Sequence, residues 1–219
     1  MNNLTVFSCL FYLLLVCSNM AYADKNTIMM GAFSAGNMAG WEEVEFDGVT
    51  RYKLQTAQTG SGLLAESNNS ASGWMLKRKV DIQTFPFLNW RWKTIKRLPP
   101  MQEHAKEGDD YVARIYVLVS DGWFFWQTKA LNYVWSSQSD KGASWPNAYA
   151  PDNAKMISLR ASVDKLDTWY EEKRNVLDDL KQWLGKDFQY VDAIAIMTDS
   201  DDSGLEASSM YGDIYFSRE

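Results

Sequence analysis

From about residue 50 onward, short runs of β-branched and aromatic residues recur, each bounded by Gly, Pro, Asn, Asp or Ser. That pattern is the signature of an all-β sandwich or barrel. Period-two alternation with turn punctuation predicts strands near 50–55, 62–66, 73–80, 86–94, 110–120, 130–136, 155–160, 169–175, 191–199 and 211–217. One segment follows a different period. Val176, Leu177, Leu180, Trp183 and Leu184 recur at helical spacing, with Asp178 and Asp179 in the first turn and Gly185 just past the end, which predicts one short satellite helix near 176–185. Two connections are long, 96–109 with Pro99-Pro100 and 137–154 with Gly142, Pro146 and Pro151. Loops of that size in a compact domain are usually functional or mobile. If the strands at 86–94, 110–120 and 130–136 are successive antiparallel neighbours, both loops lie at one end, where a rim is expected.

Alternation also sorts the side chains into faces. Leu88, Trp90 and Trp92 oppose Asn89, Arg91 and Lys93; Ile115 and Val117 oppose Arg114 and Tyr116; Leu131, Tyr133 and Trp135 oppose Asn132. In the last strand Ile214 and Phe216 oppose Tyr211, Asp213 and Tyr215. The result is a polar sheet face bearing Arg91, Arg114, Tyr116, Asn132 and Asp213, which could orient sugar hydroxyls or a carboxylate. The alternative is an ordinary solvated face, whose Arg–Asp pairs contribute up to about 1 kcal/mol each. Trp145 and Tyr149 in the second long loop, with Trp123 and Trp126 near 121–126, are candidates either for stacking on a ligand or for packing the loops onto the body. Trp90, Trp92 and Trp135 fall on apolar faces and read as core.

Composition adds a compartment. Every charged residue and all ten tryptophans lie after Ala23, whereas Cys9 and Cys17 lie before it. Val6 to Val16 form an apolar run and Ala21-Tyr22-Ala23 a cleavage site, so residues 1–23 read as a signal peptide; the alternatives are a retained anchor, for which the run is short, and a lipoprotein, for which neither Phe7-Ser8-Cys9 nor Leu15-Val16-Cys17 has the usual pattern before the Cys. The expected product is a single exported domain, 24–219, periplasmic or secreted and folded without disulfides. Its net charge of -6 offers phosphate backbones no attraction, so nucleic acid is not an expected partner. After cleavage no remaining stretch has the apolar length of a membrane span.

The segment Thr198 to Gly204 carries Asp199, Asp201 and Ser203 at alternating positions, so hard oxygens could converge there on calcium. The twelfth position of an EF-hand loop would be Met210, so the ligand pattern is incomplete and a solvated acidic turn is the alternative. His104 is the only histidine and stands among charged loop residues, which excludes a zinc site built from several His or Cys and leaves a triad without partners. Glu171-Glu172 and Asp178-Asp179 are adjacent pairs and do not suit a glycosidase acid and nucleophile. No phosphate loop or dinucleotide fingerprint occurs, so no nucleotide or redox cofactor is expected.

The blocks Trp90-Arg91-Trp92-Lys93, Gly108 to Val117, Leu131 to Ser136, Glu172 to Val176, Ala193 to Asp201 and Tyr211 to Ile214 resemble, in order, a bacterial family called domain of unknown function 3047. The resemblance implies an exported antiparallel β-sandwich of jelly-roll type, similar to carbohydrate-binding modules, with no established activity. It points to Arg91, Asp110, Arg114, Asn132, Trp135, Glu172, Arg174, Asn175, Asp199, Asp201 and Asp213 as pattern positions. The expected function is binding of a glycan or polar small molecule, with calcium as a candidate stabiliser. The alternatives are a polysaccharide lyase or hydrolase, in which Arg91, Arg114 and Tyr116 neutralise and deprotonate a uronate, and a structural envelope protein.

Overall fold

The computed structural model describes residues 25–56, 60–120 and 128–219; the expected signal peptide and cleavage site, and Trp123 and Trp126, lie outside the described residues. The strands are β1 (Thr27–Gly31), β2 (Trp41–Asp47), β3 (Arg51–Gln55), β4 (Gly62–Asn68), β5 (Ala71–Asp81), β6 (Phe87–Lys96), β7 (Arg114–Ser120), β8 (Thr128–Trp135), β9 (Ser144–Pro146), β10 (Ala154–Arg160), β11 (Tyr170–Asn175), β12 (Tyr190–Asp199) and β13 (Glu206–Ser217). Each strand expected from alternation is present; β1, β2 and β9 are additional. They form a six-stranded sheet, β11-β6-β13-β4-β3 with β1 also on β13, and a seven-stranded sheet, β2-β5-β12-β7-β8-β10-β9.

The two sheets pack face to face because one side of each strand is apolar. Trp90 and Trp92 of β6, with Tyr211, Ile214 and Phe216 of β13, meet Ile115 and Val117 of β7 and Tyr133 and Trp135 of β8 in one buried cluster. Trp90 stacks on Tyr133 with centroids 5.3 Å apart, and Trp92 meets Trp135 edge-on at 5.9 Å. Burial of such rings is the main stabilising contribution in a domain without cysteine cross-links. The helix α1 (Val176–Leu184) starts on Asn175, whose side chain accepts from the Asp178 N–H, and ends on Gly185 in the left-handed conformation. Its Val176 and Leu180 join the same core.

Three details differ from simple alternation. First, β6 and β7 are not neighbours: they lie in different sheets. Pro99 and Pro100 cannot donate to a ladder, which is compatible with a connection that crosses the sandwich instead of forming a hairpin. The two long loops nevertheless meet, through buried Glu103, whose carboxylate accepts from the Ser136 hydroxyl at 2.5 Å and the Ser137 hydroxyl at 2.8 Å. Second, the chain runs from β8 out to edge strand β9 and returns as β10 between them, which makes β10 parallel to β8 within an otherwise antiparallel sandwich. Third, Tyr211 faces the core and not solvent. A register shift between Tyr211 and Ile214 places an extra residue there, so both point inward. The Tyr211 hydroxyl then reaches across to donate to the Met197 carbonyl at 2.6 Å.

Candidate binding site

On β7, Ile115, Val117 and Val119 are fully buried in the sandwich core, so Arg114 and Tyr116 point from the opposite, outer face of the seven-stranded sheet. Tyr116 pairs in register with Ala195 on β12 and Asn132 on β8, and Asn132 with Met156 on β10, so these side chains form a row across four strands. The loops at 97–113 and 147–153 and the acidic turn after β12 fold over this face. They leave a cavity of about 500 Å³ whose lining includes Arg114, Tyr116, Asn132, Tyr149, Asp201 and Phe46.

Arg114 is not a solvated cross-strand residue. It is 3% exposed and ion-paired through Nη2 with Asp199, while its Nε donates to the same carboxylate at 3.2 Å. Its Nη2 also donates to the Asp109 carbonyl at 3.0 Å, and the Asp109 carboxylate lies 3.7 Å from Nη1. The expectation of an exposed pair fails because pointing away from the sandwich core is not the same as facing water: the loops supply a second buried layer. Asn147 extends the network, its amide donating to both Asp109 oxygens at 3.1 and 3.0 Å while its oxygen accepts from the Tyr149 and Ala150 N–H groups. Burial pushes the Asp109 carboxyl up, against the opposing influence of Arg114 and Asn147.

Asn132 differs from these residues in one respect. It is 1% exposed, yet its Oδ1 is buried with no hydrogen-bond partner among the described residues. An orphaned buried acceptor costs about 1–3 kcal/mol, so it calls for an explanation. Beside it, the Tyr116 hydroxyl has, among the described residues, only the Met197 sulfur at 3.3 Å, a weak acceptor. Burial pushes the Tyr116 phenol up, opposite to what a proton-abstracting phenolate needs.

Two aromatic residues stand at the rim. Tyr149 is 54% exposed and its hydroxyl donates to Asp202, which drives the phenol upward. Phe46 is 68% exposed and falls where the β2–β5 register shifts between Glu45 and Asp47, so a bulge projects it from the edge strand. The sequence reading missed Phe46, Asp47, Asn147 and Asp109. An apolar residue inside the acidic run Glu42 to Asp47 was the available signal for the first.

Other expected site residues go elsewhere. Trp145 is buried in a small second core with Tyr111, Val134 and Met156, and its Nε1 donates to the Tyr111 hydroxyl at 3.3 Å. It packs the loop, so it cannot stack on a ligand. Arg91 and Asp213 belong to β6 and β13 of the six-stranded sheet, so they do not share a face with Arg114. They line a separate cavity of about 380 Å³. There Arg91 lies over the Trp169 ring at 4.6 Å, and Asp213 accepts from the Ser34 N–H at 2.7 Å. Two other pattern positions lie on β11: Arg174 holds buried Asp179 of α1, and Glu172 accepts from the Trp92 indole at 3.0 Å.

In the acidic turn, Asp110 accepts from the Asp202 and Ser203 N–H groups at 3.2 and 2.8 Å. Oxygens of Asp110, Asp199 and Asp201 lie within 4.8 Å of one another. Ser203 does not join them, because its hydroxyl is 3.4 Å from the Ser200 carbonyl and faces the turn's own backbone. Burial, foremost, pushes the Asp201 and Asp202 carboxyls up.

Residues 39–215 match the family described as "Protein of unknown function (DUF3047)". No curated protein matches the chain. Among solved structures, the chain is similar to a family 11 carbohydrate-binding module from Clostridium thermocellum in complex with a mixed-linked tetrasaccharide, at 10% identity and a TM-score of 0.47, covering 87% of this chain and 95% of that one. The K1 cleaved adhesin domain of Lys-gingipain from Porphyromonas gingivalis is similar at 10% identity and 0.44, covering 88% and 98%. Endoglucanase 3 from Trichoderma harzianum is similar at 9% identity and 0.42, covering 82% and 97%.

Proposed function

The chain belongs to the DUF3047 family, and we propose that it is an exported module that binds a carbohydrate or similar polar ligand in the cavity on the seven-stranded sheet. Asn132, which lines that cavity and whose Oδ1 is unpaired among the described residues, carries the reading, because a ligand hydroxyl would supply the donor that the protein does not. Phe46 and Tyr149 support it by offering exposed rings at the rim against which the apolar face of a sugar can lie. The volume of about 500 Å³ falls in the ordinary range for small-ligand sites. Lyase chemistry draws less support: Arg91 is on the other sheet, Arg114 is committed to carboxylates, and Tyr116 is pushed away from ionisation.

The test is a glycan array on the protein starting at Asp24, followed by calorimetry of the hits. Binding to at least one oligosaccharide, weakened about tenfold or more by Phe46→Ala or Tyr149→Ala, is the expected outcome on the scale of stacked aromatic contacts. Absence of any bound glycan would refute the reading. Export is part of the same proposal. Intact mass of the processed protein should correspond to a start at Asp24, and a mass that includes Cys17 with added lipid would overturn it.

Calcium is a second ligand to test, because Asp110, Asp199 and Asp201 converge. Asp199 already serves Arg114 and Asp110 already accepts two backbone N–H groups, but each carboxylate retains further lone pairs. If calcium binds the folded state, millimolar calcium should raise the melting temperature and Asp201→Ala should remove the increment. Identical melting in calcium and in chelator would end that idea.

A further inference from the structure

Resting on the carbohydrate reading, we propose that the cavity selects ligands bearing an ammonium group, which within that reading means amino sugars rather than neutral or acidic ones. The donors on its walls are largely spent inside the protein. Arg114 donates to Asp199 and Asp109, Asn147 to Asp109, and the Tyr149 hydroxyl to Asp202. Beyond the Asn132 Nδ2 and the Tyr116 hydroxyl, whose acceptor is the Met197 sulfur, what remains is acceptors. Asn132 Oδ1 has no partner, and Asp47 and Asp201 line the cavity without an ion pair among the described residues.

Charge points the same way. Five carboxylates, those of Asp47, Asp109, Asp199, Asp201 and Asp202, line the cavity against the single guanidinium of Arg114. A uronate or phosphate entering there would meet like charge in a partly desolvated site, whereas an ammonium would be attracted. The faces of Phe46, Tyr116 and Tyr149 add negative quadrupoles, the arrangement that recognises ammonium ligands elsewhere. Two of the three rings already show this preference: Lys106 Nζ sits 5.0 Å from the Tyr149 centroid and the Arg114 guanidinium 5.7 Å from that of Tyr116. An ammonium group has three donors and no acceptor, which complements an acceptor-rich wall.

The experiment uses tetrasaccharides of one β-1,4 backbone that differ at C2: tetraglucosamine, its fully N-acetylated form and cellotetraose. Tetragalacturonate and spermidine complete the set. Binding is measured by calorimetry in chelator, at low and at moderate salt, below the pKa of the sugar amine. The expected result is tetraglucosamine binding about tenfold or more tighter than cellotetraose, in keeping with charge-assisted hydrogen bonds. That advantage should shrink several-fold as salt screens it. Asp47→Asn and Asp201→Asn, checked for unchanged melting, should each reduce the ratio. Equal affinity for amine and neutral backbones, or tightest binding of tetragalacturonate, would overturn the inference while leaving carbohydrate binding intact. Spermidine bound with no tetrasaccharide bound would support the ammonium selectivity and refute the carbohydrate reading. No binding by any probe would refute both.

Discussion

Replacing Arg114 by glutamine is expected to destabilise the domain by about 3–5 kcal/mol, the range for breaking a buried ion pair by removing one partner. The reason is the loss of the cation from two carboxylates, Asp199 and Asp109, that are 2% and 4% exposed. Glutamine can replace one hydrogen bond but not the charge. For a domain of this size such a change lowers the melting temperature by roughly 10 °C or more. A pH dependence should identify the cause. In wild type, burial already pushes the Asp109 carboxyl up. Without Arg114 the folded state should bind protons more readily than the unfolded chain, so the variant should regain stability as pH falls from 7 toward 5. Denaturant melts at both pH values check this. A loss under about 1 kcal/mol, unchanged with pH, would mean that the pair is solvated.

Arg114 also shows where sequence legibility stops. Alternation correctly sent Ile115 and Val117 inward and Arg114 and Tyr116 outward, since strand periodicity is a local property. What covers the outer face is not local. Glu103 ties the 97–113 loop to Ser136 and Ser137, and Asn147 ties the 147–153 loop to Asp109, so Arg114 is buried by segments with no periodic pattern. The same distinction explains Arg91 and Asp213. Their outward direction was readable, but assignment of β6 and β7 to different sheets depends on a crossover that two prolines permit without specifying. Tyr211 was misplaced for a third reason: a bulge resets the period, and its only trace is Gly212, where an added Cβ would lie 2.3 Å from Arg91 Cγ. Strand β2 was missed because Glu42, Glu43, Glu45 and Asp47 give it no apolar face, which an edge strand does not require. The convergence of Arg114, Tyr116, Asn132, Tyr149, Asp199 and Asp201 in one cavity was partly legible. Phe46 and Asn147 were not, because each comes from a segment remote in sequence from β7, and Asp109, five residues from Arg114, lies in a loop with no periodic pattern to say which way it points.

Asn132→Leu is expected to abolish measurable ligand binding while leaving the domain as stable as wild type or more so. Leucine has nearly the shape of asparagine and removes the unpaired Oδ1, whose burial costs about 1–3 kcal/mol. Its neighbours in register, Tyr116 and Met156, offer apolar surface that accepts the added methyl groups. The same exchange removes the acceptor assigned to the ligand donor, and a hydrogen bond to that donor corresponds to a tenfold change in affinity for each 1.4 kcal/mol. Stability gained where binding is lost is the behaviour of a site kept for function, since an acceptor with no internal partner contributes nothing to the free fold. Asn132→Asp separates the acceptor from the amide. It keeps an oxygen at the position and adds charge, so under ammonium selectivity it should retain tetraglucosamine binding that leucine loses. Melting curves and calorimetry on both variants decide the matter. If Asn132→Leu unfolds the domain, or binds the wild-type ligand with unchanged affinity, the orphaned oxygen is not a ligand contact and the cavity loses its main claim to be the site.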